Sequence, residues 1–525
     1  MMQRHGNMFD YVIVGAGSAG CVMAARLSED ASARVLLLEA GGPDTRSEIH
    51  IPAAFAKLFR SDCDWNYATE PQPRLANRRL YWPRGKVLGG SSSINAMVYI
   101  RGHRSDFDAW AAAGNPGWAF ADVLPFFQRA EDNQRGSSDF HATGSPLAVS
   151  DLRSPNVLSR AFVEAGVELG FPRNPEFNGA SQEGFGFYQV TQKRGERHSA
   201  ADAYLKPARA RRNLTVRTGA QATRLLFEGR RAVGVCYRRD GRDEHARANR
   251  EVILCGGAVN SPQLLLLSGV GPAKQLRAMG IPVVADLPGM GENLQDHLQI
   301  VVGHQCTQPV SLAHAETLGN LLRYLLFRRG PLTSNVAECG AFLRTRPGLP
   351  APDLQFMFGP VFYLDHGFTR PQGDGFGVVA VLLRPQSRGR ITLRSADPLA
   401  HPAIDANYLS ADADLALLVH GVKLARRLFA AKSFDPYRGP EARPGADIQT
   451  DAEIAGYVRD HAETIYHPVG TCKMGSDPLA VVDAQLRVHG TGSLRVVDAS
   501  VMPLIVGGNT NAATIMLAEK AATLF

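Results

Sequence analysis

No apolar run in the 525-residue chain approaches the roughly 18 residues that a membrane-spanning helix needs. The protein is therefore expected to be soluble or peripheral, not integral. Its 7 cysteines are scattered, with no CxxC pair and no zinc-finger spacing, which favours free thiols in a reducing cytoplasm and offers no metal cluster. Internal repeats and low-complexity segments are absent. The opening residues 1–17 (MMQRHGNMFDYVIVGAG) pass within a few positions into a buried-strand pattern, leaving no room for a signal peptide, so a cytoplasmic location is expected. Charged residues make up only 20%, against a hydrophobic fraction of 45%, a balance that excludes disorder and indicates a packed globular fold. The length exceeds what one core supports and predicts two or three lobes. The net charge of +7 is spread thinly, with short arginine clusters at 209–212 and 238–242. That pattern reads as a solvated surface, and no nucleic-acid partner is expected.

Near the N-terminus a β-branched run (residues 9–14, FDYVIV) leads into GAGSAG and then into a helical pattern. Gly15 permits the tight turn, Gly17 lets the backbone approach a pyrophosphate, and Gly20 allows the helix to pack on the strand. Ser18 and Ala19 open the helix whose amides face the phosphates. The following strand, RVLLLEAG (34–41), ends in Glu39 and Ala40, about 20 residues on, where an acid accepts hydrogen bonds from ribose hydroxyls. Together these predict a dinucleotide site. Glu39 opposes a 2′-phosphate by charge, but the motif itself does not separate FAD from NAD.

Residues 81–102 (YWPRGKVLGGSSSINAMVYIRG) place two glycines and three serines between Trp82, Leu88 and Ile94, a loop rich in amide donors framed for burial. Residues 251–271 (EVILCGGAVNSPQLLLLSGVG) again read strand, glycine turn, helix, and LPGMGENLQDH follows at 287–297. These segments resemble the two signature patterns of the glucose-methanol-choline oxidoreductase family. The first matches through Gly85, Gly89, Gly90, Asn95 and Tyr99, the second through Gly257, Ser261, Pro262, Ser268, Gly269 and Gly271. IRGH (100–103), TSNVAE (333–338) and ETIYHPVGTCKMG (463–475) are similar to the bacterial branch that holds choline dehydrogenases and the FAD alcohol dehydrogenases of alkane degradation.

The resemblance implies an α/β protein of two lobes. A Rossmann-like FAD-binding lobe would be assembled from 1–158, 199–303 and 461–525. It would interleave with a substrate lobe on an antiparallel or mixed sheet from 159–198 and 304–460. FAD contacts are implied for Arg84, Gly85, Val87, Gly89, Gly90, Ser91, Asn95, Ala96, Met97 and Val98, and for Gly257, Asp498, Ala499, Asn509 and Thr510. Some family members attach FAD covalently through a histidine in the glycine-serine loop. Ile94 occupies that position here, so a dissociable FAD is expected.

Oxidising an alcohol needs a hydride acceptor, flavin N5, and a base within about 2.6–3.2 Å of the hydroxyl. The resemblance places His467, in YHPVGT, on the family's catalytic histidine; the following proline helps to hold its imidazole in one orientation, and it is the expected catalytic base. The resemblance places Asn511 as its partner on the substrate oxygen; as an asparagine at a helix start it also reads as an N-cap. The helix that begins near Ala512 would aim its positive end at the flavin. LQFMFGPVFYL (354–364) reads as sheet core or as pocket lining. An apolar pocket would suit aliphatic or aromatic primary alcohols. Glu338 and Tyr466 are candidates for a pocket that would hold choline instead. Electrons are expected to pass to a quinone or another acceptor, with oxygen as the alternative. A quinone would bring the protein peripherally to the inner face of the cytoplasmic membrane. The remaining alternative, a non-redox FAD lyase or light-driven decarboxylase, would not need both His467 and Asn511.

Overall fold

The computed structural model describes residues 8–369 and 373–525; the leading residues 1–7, on which the reading of the N-terminus partly rests, lie outside the described residues. The run of β-branched side chains in Met8–Val14 is buried from Tyr11 onward and forms the middle of a seven-stranded sheet. Val35–Leu38 and Arg242–Leu254 flank it, both parallel. Leu214–Arg217 continues the sheet beyond Val35–Leu38, and Leu494–Val496 continues it beyond residues 252–254, again parallel. The first half of Arg242–Leu254 also pairs antiparallel with Arg231–Arg239, which pairs with Gln221–Glu228. The sheet thus grows in both directions from Met8–Val14, and such a reversal leaves a ligand crevice at the carboxyl ends of the strands.

The helix Ser18–Leu27 packs on this sheet, and Asn511–Ala521 packs on Ser18–Leu27 and on Phe120–Ala130. Glu519, fully buried, accepts a two-pronged bond from Arg26 at 2.9 and 2.8 Å and another from Tyr204, so the first and last helices of the chain are fastened together.

The second large sheet is antiparallel throughout, in the order Arg438–Arg443, Leu298–Cys306, Gly375–Leu382, Leu354–Gly359, Cys339–Leu343, Gly184–Phe187. Its central strands are largely apolar in sequence, yet their two faces differ. Ile300, Val302, Phe356, Val378 and Ala380 are fully buried in the core shared with the helices Val157–Glu168 and Asp412–Phe429. Gln299, Val301, Met357, Gly377 and Val379 alternate with them and face a cavity against the first sheet. The lobe change expected after residue 303 falls inside the strand Leu298–Cys306, which pairs with Gly375–Leu382 from residue 299 to residue 305. All seven cysteines are free, and among the described residues no helix is long and apolar enough to cross a membrane and no metal-binding cluster occurs.

Candidate active site

The cavity, of about 330 Å³, runs from the carboxyl ends of the parallel strands, at Val14, Leu38 and Leu254, to the cavity face of the second sheet. At its first end the two glycine loops meet backbone to backbone. Gly90, at φ +53°, lies so close to the GAGSAG turn that a Cβ on it would be 2.6 Å from Gly17 Cα. A Cβ on Gly15 would be 2.5 Å from the Cys255 carbonyl oxygen. Gly89 N–H donates to the Ala16 carbonyl at 2.8 Å and locks the crossing.

Glu39 accepts the Ala16 and Gly41 amides, each at 2.8 Å, and burial nevertheless pushes its carboxyl up to about 7. The helices Ser18–Leu27 and Asn511–Ala521 both begin at the cavity, and neither has a side-chain cap. Two uncapped N-termini put amide donors and the positive ends of two helix dipoles at one place, as a pyrophosphate requires. Arg84 also lines the cavity, with a buried Nε that has no partner. These features fit a bound dinucleotide.

Every glycine-turn, loop and C-terminal residue expected at the cofactor lines this cavity except Gly20, Val87 and Gly89. Gly20 meets the Gly15 carbonyl, Val87 bridges to Gly42, and Gly89 holds the loop crossing, so these three shape the walls from behind. Asp498 accepts the Gly257 amide at 2.8 Å and the Ser261 hydroxyl at 2.5 Å, holding the third glycine turn at the cavity. Ile94 lines the wall with an aliphatic side chain.

At the other end stands His467. Its backbone N–H donates to Asp296 Oδ1 at 2.8 Å, and Thr464 (2.5 Å) and Tyr408 donate to the other carboxylate oxygen. Tyr466, just before it, is held at φ +71°, a strained conformation for a tyrosine that costs on the order of 1–3 kcal/mol. His297, absent from the expected site residues, sets the protonation pattern. The Leu383 carbonyl can only accept, so His297 Nε2–H donates to it at 3.1 Å, leaving His297 Nδ1 as an acceptor. His467 Nδ1–H then donates to that nitrogen at 3.0 Å, and His467 Nε2 keeps its lone pair. Burial, aided by Arg384, holds His297 down at about 3, against the pull of that carbonyl. Burial, then His297 and Arg84, hold His467 well below the ordinary histidine value, so both rings are neutral near pH 7.

The partner of His467 Nε2 is Asn509, whose Nδ2–H donates to it at 3.2 Å; Gln355 donates to Asn509 Oδ1 and orients the amide. The expected pairing with Asn511 is therefore corrected. Asn511 is the first residue of its helix, and its Oδ1 accepts the Ser18 hydroxyl at 2.6 Å, which ties the two helix N-termini together. Nor does it act as a cap, the N-cap being Thr510.

Glu338 is likewise corrected. It is buried away from the cavity, where the Asn156 amide (2.7 Å), Ser159 (2.7 Å) and Ser334 (2.6 Å) donate to it. Its three donors make it an anchor for the helix Val157–Glu168. Tyr466 does line the cavity, beside Phe55, Phe59 and Tyr363. Gln299 also faces it, with an unpartnered Oε1. Among the described residues the cavity's acids are Glu39 and Asp498, both on the nucleotide side. His297 and Gln299 were signalled by the alternation in LQDHLQIVV, where residues 297, 299 and 301 share one face.

Replacing Gly90 with Val should drive side-chain atoms into the Gly17 backbone and leave the purified protein folded but depleted of flavin. Visible flavin absorbance relative to total protein measures this; an undiminished ratio counts against the cradle.

Comparison with known proteins places the site in a family. The GMC oxidoreductase pattern matches residues 9–299 with its N-terminal part and 385–518 with its C-terminal part. An alcohol dehydrogenase [acceptor] of Pseudomonas putida is 50% identical, covering 98% of this chain and 95% of that protein. The mitochondrial choline dehydrogenase of Mus musculus is 48% identical, over 98% and 89%. Among solved structures, pyridoxine 4-oxidase from Mesorbium loti superposes with a TM-score of 0.91 at 35% identity, over 98% of this chain and 99% of that one. The chain belongs to the GMC oxidoreductase family and is an FAD-dependent oxidoreductase.

Proposed function

We propose that this enzyme oxidises uncharged primary alcohols, aliphatic or aromatic, to aldehydes and passes the electrons to a quinone or similar acceptor. The observation that carries the reading is the unprotonated His467 Nε2, which accepts from the Asn509 amide at the apolar end of the cavity. An alcohol hydroxyl there replaces the Asn509 amide as the donor to His467 Nε2, and the Asn509 Nδ2–H turns to donate to the alcohol oxygen. As the proton moves to Nε2, the amide stabilises the negative charge growing on that oxygen. The imidazolium so formed keeps its Nδ1–H bond to His297, which holds the ring in place throughout. Bound FAD supplies the two-electron acceptor at which the carbinol hydrogen arrives as hydride. Asn511 serves the cofactor side instead, at the first turn of its helix.

The similarity to the Pseudomonas alcohol dehydrogenase [acceptor] supports both substrate and acceptor class. Choline is the second reading, favoured by the aromatic wall of Phe55, Phe59, Tyr363 and Tyr466 and by the choline dehydrogenase relative. A quaternary ammonium also wants a carboxylate. With Glu338 withdrawn and a neutral amide at Gln299, the alcohol end has none among the described residues.

Anaerobic addition of octanol or benzyl alcohol should bleach the flavin, choline should not, and air should restore the colour slowly; bleaching by choline alone reverses the order of the two readings. His467→Ala should slow flavin reduction by roughly 10² to 10⁴, and a variant reduced at the parental rate removes His467 from the reaction. Because the His467 pKa is depressed, the neutral base is lost only when pH falls through a value well below 6.5. The reduction rate should therefore stay level from about pH 8 down to about pH 6, whereas a limb centred on the ordinary histidine value contradicts the burial argument.

A further inference from the structure

The helix Leu318–Phe327 shows most of its apolar side chains to solvent. Leu318, Leu321, Leu322, Leu325, Leu326 and Phe327 range from 37% to 72% exposed, and these six are nearly half of the large hydrophobics exposed anywhere on the described chain. Tyr324 is its one buried residue. The helix is nevertheless well formed: the Thr317 side chain caps its start, Arg328 closes it in the left-handed conformation, and Tyr324 donates to the His50 carbonyl. The charge within the helix and just after it is of one sign. Between Glu316 and Glu338 the sequence has Arg323, Arg328 and Arg329 and no acid. Arg328 pairs with Glu196, while among the described residues Arg323 and Arg329 have no ion-pair partner.

We propose that this helix docks on an anionic lipid bilayer, lying in the interface with its leucines and Phe327 among the upper acyl carbons and its arginines against headgroup phosphates. A short, ordered, apolar helix flanked by arginines is the composition of an interfacial helix, and its ten residues, about 15 Å, are too short to span. Pairing of two copies about a two-fold axis across the helix would set Arg323 against its own copy. A phosphate surface takes the same arginines favourably.

The position of the helix gives the docking a use. Tyr324 and Leu332 pack with Ile51 and Ala53 at the start of the turn Pro52–Leu58, and Phe55 in that turn lines the cavity. A protein seated on this helix holds the aromatic end of its cavity next to the acyl layer, where long-chain alcohols and a lipid-soluble quinone partition. The docking stands on the helix alone; its use in delivering substrate and acceptor rests on the function proposed above.

Holoenzyme is incubated with vesicles of phosphatidylcholine, or of phosphatidylcholine with phosphatidylglycerol, and sedimented. The native protein should pellet with the anionic vesicles and less with the neutral ones. Leu322→Asp with Leu326→Asp should weaken binding about tenfold or more, with flavin content and anaerobic reduction by benzyl alcohol unchanged. Arg323→Gln with Arg329→Gln should erase the preference for anionic vesicles. Leu479→Asp, at an exposed leucine elsewhere, should change nothing. Native protein that stays in solution with both vesicles, or a leucine variant that still pellets, overturns the proposal. So does a native dimer in sedimentation velocity that the leucine variant converts to monomer without vesicle binding. Vesicle binding without bleaching by any alcohol would leave the docking standing and remove the proposed function; bleaching without vesicle binding would do the reverse.

Discussion

The site depends on one hydrogen bond whose direction cannot be reversed. Leu383 offers a carbonyl, which only accepts, so the sense of the chain through His297 and His467 to Asn509 is fixed from its inner end. Both imidazoles are buried and neutral. If His297 were protonated on both nitrogens, His467 Nδ1 would have to accept from it and the His467 proton would sit on Nε2, so the base would be lost. A neutral His297 thus makes His467 a base at Nε2 and a donor at Nδ1. The backbone supports the same geometry from the other side, since Asp296 holds the His467 amide while the adjacent residue, Tyr466, carries the strain. Strain of that size persists only where surrounding bonds over-determine the conformation.

The chain's interleaving follows from where these groups must come from. His297 and Gln299 lie at the start of a strand of the second sheet, His467 on a segment returning from it, and Asn509 just ahead of the last helix of the first lobe. No single sheet edge could bring them together. The cavity is consequently walled by two sheets of different kinds. Parallel strand ends and uncapped helices supply amides for an anionic cofactor, while the alternate face of an antiparallel sheet supplies side chains for a substrate.

The nucleotide end was legible in the sequence because it is built from local geometry. A glycine that must take φ +97°, as Gly15 does, or admit a crossing backbone, as Gly90 does, leaves a signature within a few residues. The alcohol end was legible only in part. His467 stood out through the family resemblance of YHPVGT, but its partner was read as Asn511, because two asparagines two residues apart differ only in which one the helix start turns toward Ser18. Glu338 was misplaced for a similar reason: a carboxylate beside serines reads equally well as a ligand or as a buried anchor, and the residues that decide, Asn156 and Ser159, lie about 180 positions away in the chain. The run LQFMFGPVFYL was both things it could have been, since Phe356 packs in the core and Met357 faces the cavity.

The polar groups left over at the cavity also bear on how the fold is held. Arg84 Nε and Gln299 Oε1 are buried without partners, and two helices begin there without caps. An unmade bond at a buried donor or acceptor costs about 1–3 kcal/mol. These costs fall along the surface where the cofactor and the substrate belong, so the polypeptide alone is the less stable state and ligands that satisfy these groups stabilise the fold by mass action. The aliphatic Ile94 in the same wall provides no covalent link to hold the flavin. The crossed glycine loops, the converging helix ends and Glu39 are the contacts this fold offers a dinucleotide, and they bring segments from both ends of the chain together around it.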